Sequence, residues 1–326
     1  MSKIAIIGVI LVGAAVVAEK SLEIPIARLT LKAVDEQGNP VADAHVRMSF
    51  EGPLNWNGSS SQIVSVTGIT DQNGAFSGEG HSFDTKGGLI QKAGYYSSSP
   101  ESYKFEKVIG GKWQPWNPTL NVVLKRIINP IPMYARKAQI EVPEAAESAP
   151  VGFDLEAGDW VAPHGKGVTS DFLVSLKRQF TDRRNYEAGI TITFPNKGDG
   201  LQPISPEDVN SGSELKLPRT APEEGYEPKL ATTIGAKAGG PGHEDAQANR
   251  SYFIRTRTVL DSDGNVKSAR YGKIDGDIRL DAINSKTCIM LFTYYFNPTA
   301  NDRNMEFDPK KNLSANLTAD EQVTAP

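Results

Sequence analysis

Ile26-Ala27-Arg28-Leu29-Thr30-Leu31-Lys32-Ala33 alternates two kinds of side chain, with Ala27, Leu29, Leu31 and Ala33 on one side and Ile26, Arg28, Thr30 and Lys32 on the other. A period of two puts successive side chains on opposite faces of an extended chain, so the stretch reads as a half-buried β-strand. Asp35-Glu36-Gln37-Gly38-Asn39-Pro40 then breaks the run. Glycine permits positive φ there, and proline cannot continue a central ladder. Strand character resumes over residues 41–50 and 63–69, and Thr70-Asp71-Gln72-Asn73-Gly74-Ala75-Phe76 turns the chain into a fourth strand. Short strands punctuated in this way predict a β-sandwich.

Working outward, Asn129-Pro130-Ile131-Pro132 interrupts the pattern, because two prolines disfavour regular pairing. Strand-like runs return at 134–142, 172–180, 189–194, 251–260, 266–274 and 287–296. The expected organisation is a leader over 1–18, a sandwich over 22–126, a linker over 127–132 and a second β-rich domain over 133–309. Within that domain the Pro-, Gly-, Glu- and Ala-rich stretch 204–249 reads as a long surface loop, and 310–326 as a flexible tail.

The leader is read from Lys3, an apolar run over 4–17, and Val16 and Ala18 at the −3 and −1 positions of a signal-peptidase site before Glu19. The run is shorter than the roughly 20 apolar residues that span a bilayer, so no stable membrane span is expected after cleavage. The reading places the protein in the periplasm or outside the cell. The single cysteine, Cys288, cannot form an intramolecular disulfide. It lies in an apolar run, which predicts a buried structural thiol rather than a nucleophile. The 326 residues are 39% hydrophobic and 23% charged, with 30 Gly and 21 Pro, a turn-rich globular composition. A net charge of −4 and the lack of a long Lys/Arg run argue against nucleic-acid binding.

The string Val34-Asp35-Glu36-Gln37-Gly38-Asn39-Pro40-Val41-Ala42-Asp43-Ala44-His45-Val46, with Thr70 to Phe76, Lys92-Ala93-Gly94-Tyr95-Tyr96 and Leu120-Asn121-Val122-Val123-Leu124-Lys125, resembles the carboxypeptidase regulatory-like family. The resemblance covers about one third of the chain. It implies a transthyretin-like, immunoglobulin-like sandwich of about seven strands, acting as a non-catalytic accessory module common in exported bacterial proteins. It implies no peptidase: His45, His81, His164 and His243 each lack a Glu three residues later, so the His-x-x-Glu zinc motif is absent. The strings Gly158 to Gly167 and Tyr295 to Pro309 resemble parts of exported bacterial proteins of unassigned function that carry the same module.

Several groups invite a functional reading. His164-Gly165-Lys166-Gly167 fails as a phosphate loop, because Trp160 stands where the first Gly is needed and Gly167 where Ser or Thr should follow Lys. Asp261, Asp263 and Asn265 alternate oxygens around Gly264 and would suit calcium. The loop's end carries Lys267 and Arg270 instead of a Glu, which favours an ordinary polar hairpin. Trp113 and Trp116, with Tyr95 and Tyr96 and the nearby Trp56 and Tyr103, offer aromatic faces for a glycan or partner protein. The alternative is that the two Trp rings cap the sandwich core. Asp302, Arg303, Asn304 and Glu306 read as a loop pinning the end of the last strand.

No catalytic constellation is legible, and no cofactor beyond calcium is suggested. The expectation is an exported, non-catalytic β protein with a structural, adhesive or binding role toward an envelope or extracellular protein or a glycan. The alternatives are a carbohydrate-binding accessory module and a hydrolase whose acidic pair lies in the second domain.

Overall fold

The computed structural model describes residues 24–54, 61–101, 103–283 and 287–326. The expected leader and Trp56 lie outside the described residues. The described chain is mostly β, as the alternation predicts, and its helical parts are short 3-10 turns. Among these residues no helix is long and apolar enough to cross a membrane.

The first domain holds β1 (Ile26–Asp35), β2 (His45–Leu54), β3 (Ser61–Ile69), β4 (Ala75–His81), β5 (Asp84–Gln91), β6 (Lys107–Ile109), β7 (Lys112–Gln114) and β8 (Thr119–Leu124). β1 is the hub of one sheet, antiparallel to β4 and parallel to β7 at one end and to β8 at the other. The second sheet runs β3-β2-β5. Between them lies a core of Ala27, Leu29, Leu31, Ala33, Val46, Met48, Phe50, Ile90, Val122 and Leu124. The four apolar β1 residues singled out by period two are all buried, at 3% exposure or less. Gly78 and Gly80 let the sheets approach: a Cβ on either would meet Met48 or Phe50 at under 3 Å.

The second domain is a larger sandwich. Its strands are β9 (Tyr134–Glu141), β10 (Val151–Asp154), β11 (Asp159–Trp160), β12 (Phe172–Asp182), β13 (Asn185–Thr193), β14 (Gly200–Pro203), β15 (Lys229–Ala236), β16 (His243–Glu244), β17 (Tyr252–Leu260), β18 (Val266–Asp281) and β19 (Ile289–Asn297). They form a six-stranded sheet, β11-β10-β12-β13-β15-β16, and a five-stranded sheet, β14-β17-β18-β19-β9. Phe153, Phe172, Val174, Ile190, Ile192, Ile254, Ile274 and Phe292 pack between the two. Cys288 is fully buried here, and burial pushes its thiol up to about 11.

The five-stranded sheet is buried on both faces, and this the alternation did not foresee. Its outer face, carrying Phe253, Tyr271 and Tyr295, is covered by Ile204, Leu217, Ala221, Met305, Phe307 and Val323. The stretch 204–249, expected as a loop, therefore supplies core residues, and it contributes β15 and β16. The tail expected to be loose is tied down. Asn312 brackets the backbone of Ala135 through both its side-chain atoms, Glu321 pairs with Arg136, and Val323 is buried. The linker is likewise pinned, with Ile131 bridging Phe307. In each case the apolar content is too sparse to show periodicity, and contacts distant in sequence determine the conformation.

Candidate functional site

Trp113 sits on β7, stacks on Phe105 with centroids 5.7 Å apart, and donates its indole N–H to the carbonyl of Ser82 at 2.7 Å. It caps the first core. Trp116 is half-buried with the Lys112 ammonium 4.7 Å from its ring centroid. Tyr95 and Tyr96 lie elsewhere: β1 meets β7 at Ile26, while Tyr96 bonds Lys125 just past the Asp35–Leu124 pairing. Nine residues of strand separate these ends by about 30 Å. The four aromatics do not form one platform. Tyr95 lies under the Arg126 guanidinium, 5.0 Å from ring to cation, and Tyr96 is buried.

The Asp261 loop is one of three built alike. Asp35, Asp71 and Asp261 each open a five-residue turn with Gly fourth, at φ +83°, +75° and +86°. In each, Oδ1 accepts from the backbone N–H groups two and four residues on, at 2.9–3.0 Å. The middle loop ends in Ala75, with no side-chain oxygen there, and makes the same bonds. The repeated Asp and Gly are thus turn chemistry, since the carboxylate satisfies donors that a tight hairpin leaves unpaired. The Asn265 N–H foremost holds the Asp261 carboxyl below its ordinary range. Among the described residues no group of three or more His, Cys, Asp or Glu could hold a metal ion.

Asp171, which no spacing rule singles out in the sequence, is fully buried at the centre of a polar cluster. Its Oδ1 accepts from Arg257 Nε at 2.8 Å and Thr256 Oγ1 at 2.9 Å, and its Oδ2 from Arg257 Nη2 at 2.9 Å and Leu155 N at 2.8 Å. Arg257 also reaches Glu156 at 2.8 Å and Asp154 at 3.4 Å, and Arg270 pairs with Glu156. Asp154 in turn accepts from the N–H groups of Val168 and Thr169, folding the 158–167 string back on itself. Burial of Asp154 works against its charge, but these backbone donors prevail and its carboxyl lies below the ordinary range. Arg257 adopts φ +53° at a register shift in β17. A non-glycine residue rarely adopts that conformation, and the ion pairs hold it there. The bulge is what turns the guanidinium toward Asp171, and no spacing rule announces a bulge.

A second cluster joins the domains. Glu306 is fully buried; its Oε1 accepts from Tyr96 Oη and Ile128 N at 2.9 Å each, and its Oε2 from Asn129 N at 2.8 Å, with Arg219 Nε 3.4 Å away. Arg219 continues to Glu36 at 2.9 Å and to the carbonyl of Arg126. Beside them Ser97 and Ser99 of the first domain bond Glu214 and Gly212 of the second. Glu306 belongs to the loop expected to pin the last strand. Pinning is indeed what Asn297 does, donating to the carbonyls of Asp302 and Asn304. The inter-domain role of Glu306 had no local signal. Near it on β18, Lys273 is fully buried with its Nζ 4.5 Å from the Tyr295 centroid and no hydrogen-bond partner among the described residues. Burial holds its pKa down to about 7.

Asp277 completes the pattern, accepting from Tyr252 Oη, Ile278 N, Gln247 N and Arg250 Nε at 2.7–2.9 Å. Asp171, Glu306 and Asp277 each stand where separate segments meet, with both oxygens occupied.

No family model matches this chain, and no curated protein matches it. Among solved structures it is similar to 3-chlorocatechol 1,2-dioxygenase from Rhodococcus opacus 1CP, at 13% identity and a TM-score of 0.23, over 32% of this chain and 60% of that one. It is also similar to the shaft pilin SpaA from Lactobacillus rhamnosus GG, at 12% identity and a TM-score of 0.21, over 72% of this chain and 89% of that one. At such scores neither likeness bears on what the chain does.

Proposed function

We propose that this chain is an exported, non-catalytic bacterial β-sandwich protein with a structural, adhesive or binding role at the cell envelope or outside the cell. The observation that carries the reading is how the buried carboxylates are used. A general acid or base must exchange a proton with a bound substrate. Asp171, Asp277 and Glu306 instead hold main-chain and side-chain donors from segments far apart in sequence. Groups engaged in this way favour a rigid two-domain body over an acid–base pair. The Trp113 stack favours the same reading over a glycan-stacking module, because its indole face is against Phe105. The carboxypeptidase regulatory-like resemblance of residues 22–126 and the leader-like residues 1–18 support export.

The test is expression of the full chain in a bacterium, followed by fractionation and N-terminal sequencing. Recovery from the periplasm or medium beginning at Glu19 is expected. A soluble cytoplasmic product retaining Met1 would overturn the export reading, and hydrolysis of a polysaccharide or peptide panel by the purified chain would overturn the non-catalytic one.

A further inference from the structure

Among the described strands β8 pairs with β1 alone, and Thr30 N donates to Pro118 O at 2.9 Å. In a parallel ladder with Thr30 opposite Thr119, that bond turns the N–H and C=O groups of Leu120, Val122 and Leu124 toward β1. The same groups of Thr119, Asn121 and Val123 point the other way. Farther along, this outer edge is covered by the chain's own residues: Tyr96 N donates to Lys125 O, and Ile127 N to Gly94 O. The covering segment then departs, because Ser97 and Ser99 bond Glu214 and Gly212 of the second domain. Where it peels away, a groove of about 500 Å³ opens along residues 119–123. Glu101 and Tyr103 of the first domain and Glu207 and Val209 of the second line it together. The charged side chains among its described lining residues are Glu101 and Glu207, both acidic and exposed.

We infer that this inter-domain groove binds an extended, Lys- or Arg-bearing segment of a partner protein, which adds to the β8 edge as a further strand. An edge strand offers a ready row of main-chain donors and acceptors, and β-strand addition uses such a row for affinity. The Gly94–Tyr96 pairing shows the line that a guest strand would extend. The two lining carboxylates, one from each domain, supply the preference for a basic segment. This inference deepens the binding role proposed above and rests on it. Correct export with no peptide binding would remove this surface and leave the export reading standing.

The probe is a fluorescein-labelled peptide of alternating Lys and Val, titrated against the full mature chain and read by fluorescence anisotropy. Saturable binding is expected, and hydrogen exchange should show new protection at the amides of Thr119, Asn121 and Val123. Asn121→Pro removes an outward donor without breaking the β1 ladder, an arrangement that edge strands tolerate, and should weaken binding roughly tenfold. The double variant Glu101→Gln/Glu207→Gln should weaken it roughly fivefold. If Asn121→Pro does not fold, the carboxamide pair and the exchange pattern decide. No saturable binding, equal binding of an alternating Glu and Val peptide, or protection appearing away from 119–123 would each overturn the inference.

Discussion

Tyr96 of the first domain donates its hydroxyl to Glu306 of the second across 2.9 Å, with Glu306 fully buried. The same carboxylate takes the main-chain N–H groups of Ile128 and Asn129, so it clasps the linker and a tyrosine together. Burial foremost, with the Glu306 bond, pushes the Tyr96 hydroxyl above its ordinary range. Removing Glu306 leaves those donors without their acceptor and takes away the carboxylate that stands 3.4 Å from Arg219 Nε. Glu306→Ala should cost about 3–5 kcal/mol and split thermal unfolding into two transitions in calorimetry. Tyr96→Phe should cost about 1.5–3 kcal/mol. Because the described residues of the first core all belong to its own domain, a fragment of residues 19–128 should still show a cooperative β-type transition. A single unchanged transition in Glu306→Ala would contradict the clasp.

Arg257 and Asp171 form a second hinge of stability, since Asp171 is buried and Arg257 supplies two of its four donors. Arg257→Ala should lower stability by about 3–5 kcal/mol, the usual result of stranding a buried charge. Arg257→Gly should be milder by about 1 kcal/mol, because glycine accepts φ +53° without strain. Urea midpoints for the two variants check the order.

Lys273 makes stability depend on pH in a definite direction. Its amine is held at about 7 when folded against 10.5 for the free side chain. Between these values the unfolded chain binds the extra proton, so stability rises with pH across that window and is flat below it. Glu306 and Asp275 oppose the shift, and Lys125, itself lowered by burial, reinforces it. Lys273→Met keeps the stem and removes the amine. It should stabilise the protein by about 1–4 kcal/mol near pH 7 and flatten the rise between pH 7 and 9.5 in denaturant titrations. A variant less stable than wild type would mean that the amine has a role its surroundings do not reveal.

Trp113 and Trp116 should separate cleanly. Trp113→Ala removes a stacked ring and an indole hydrogen bond and should cost about 3 kcal/mol or more. Trp116→Ala loses chiefly a contact with Lys112 and should cost about 1 kcal/mol or less. Melting temperatures of the single variants read this directly.

The three Asp-x-x-Gly turns predict indifference to calcium. Millimolar calcium or EDTA should leave the melting temperature within about 1 °C, and Asp263→Ala should do no more. Asp261→Ala, which removes two main-chain hydrogen bonds, should lower the melting temperature more than Asp263→Ala does.

The sequence by itself determined the β class, the burial of Ala27, Leu29, Leu31 and Ala33, the three Asp-x-x-Gly turns and the buried state of Cys288. Each is local: a period of two or a turn motif is complete within ten residues, so its physics is present in the string. The tertiary structure alone decided that 204–249 and 310–326 cover a second face of the five-stranded sheet, and that Tyr95 and Tyr96 lie far from Trp113. It also decided that Glu306, Asp171 and Asp277 are clasps. Their donors come from residues up to 210 positions away, as Tyr96 is from Glu306. A buried carboxylate and an exposed one are written with the same letter. What distinguishes them is the set of N–H and O–H groups that folding brings around each, and only packing makes that selection.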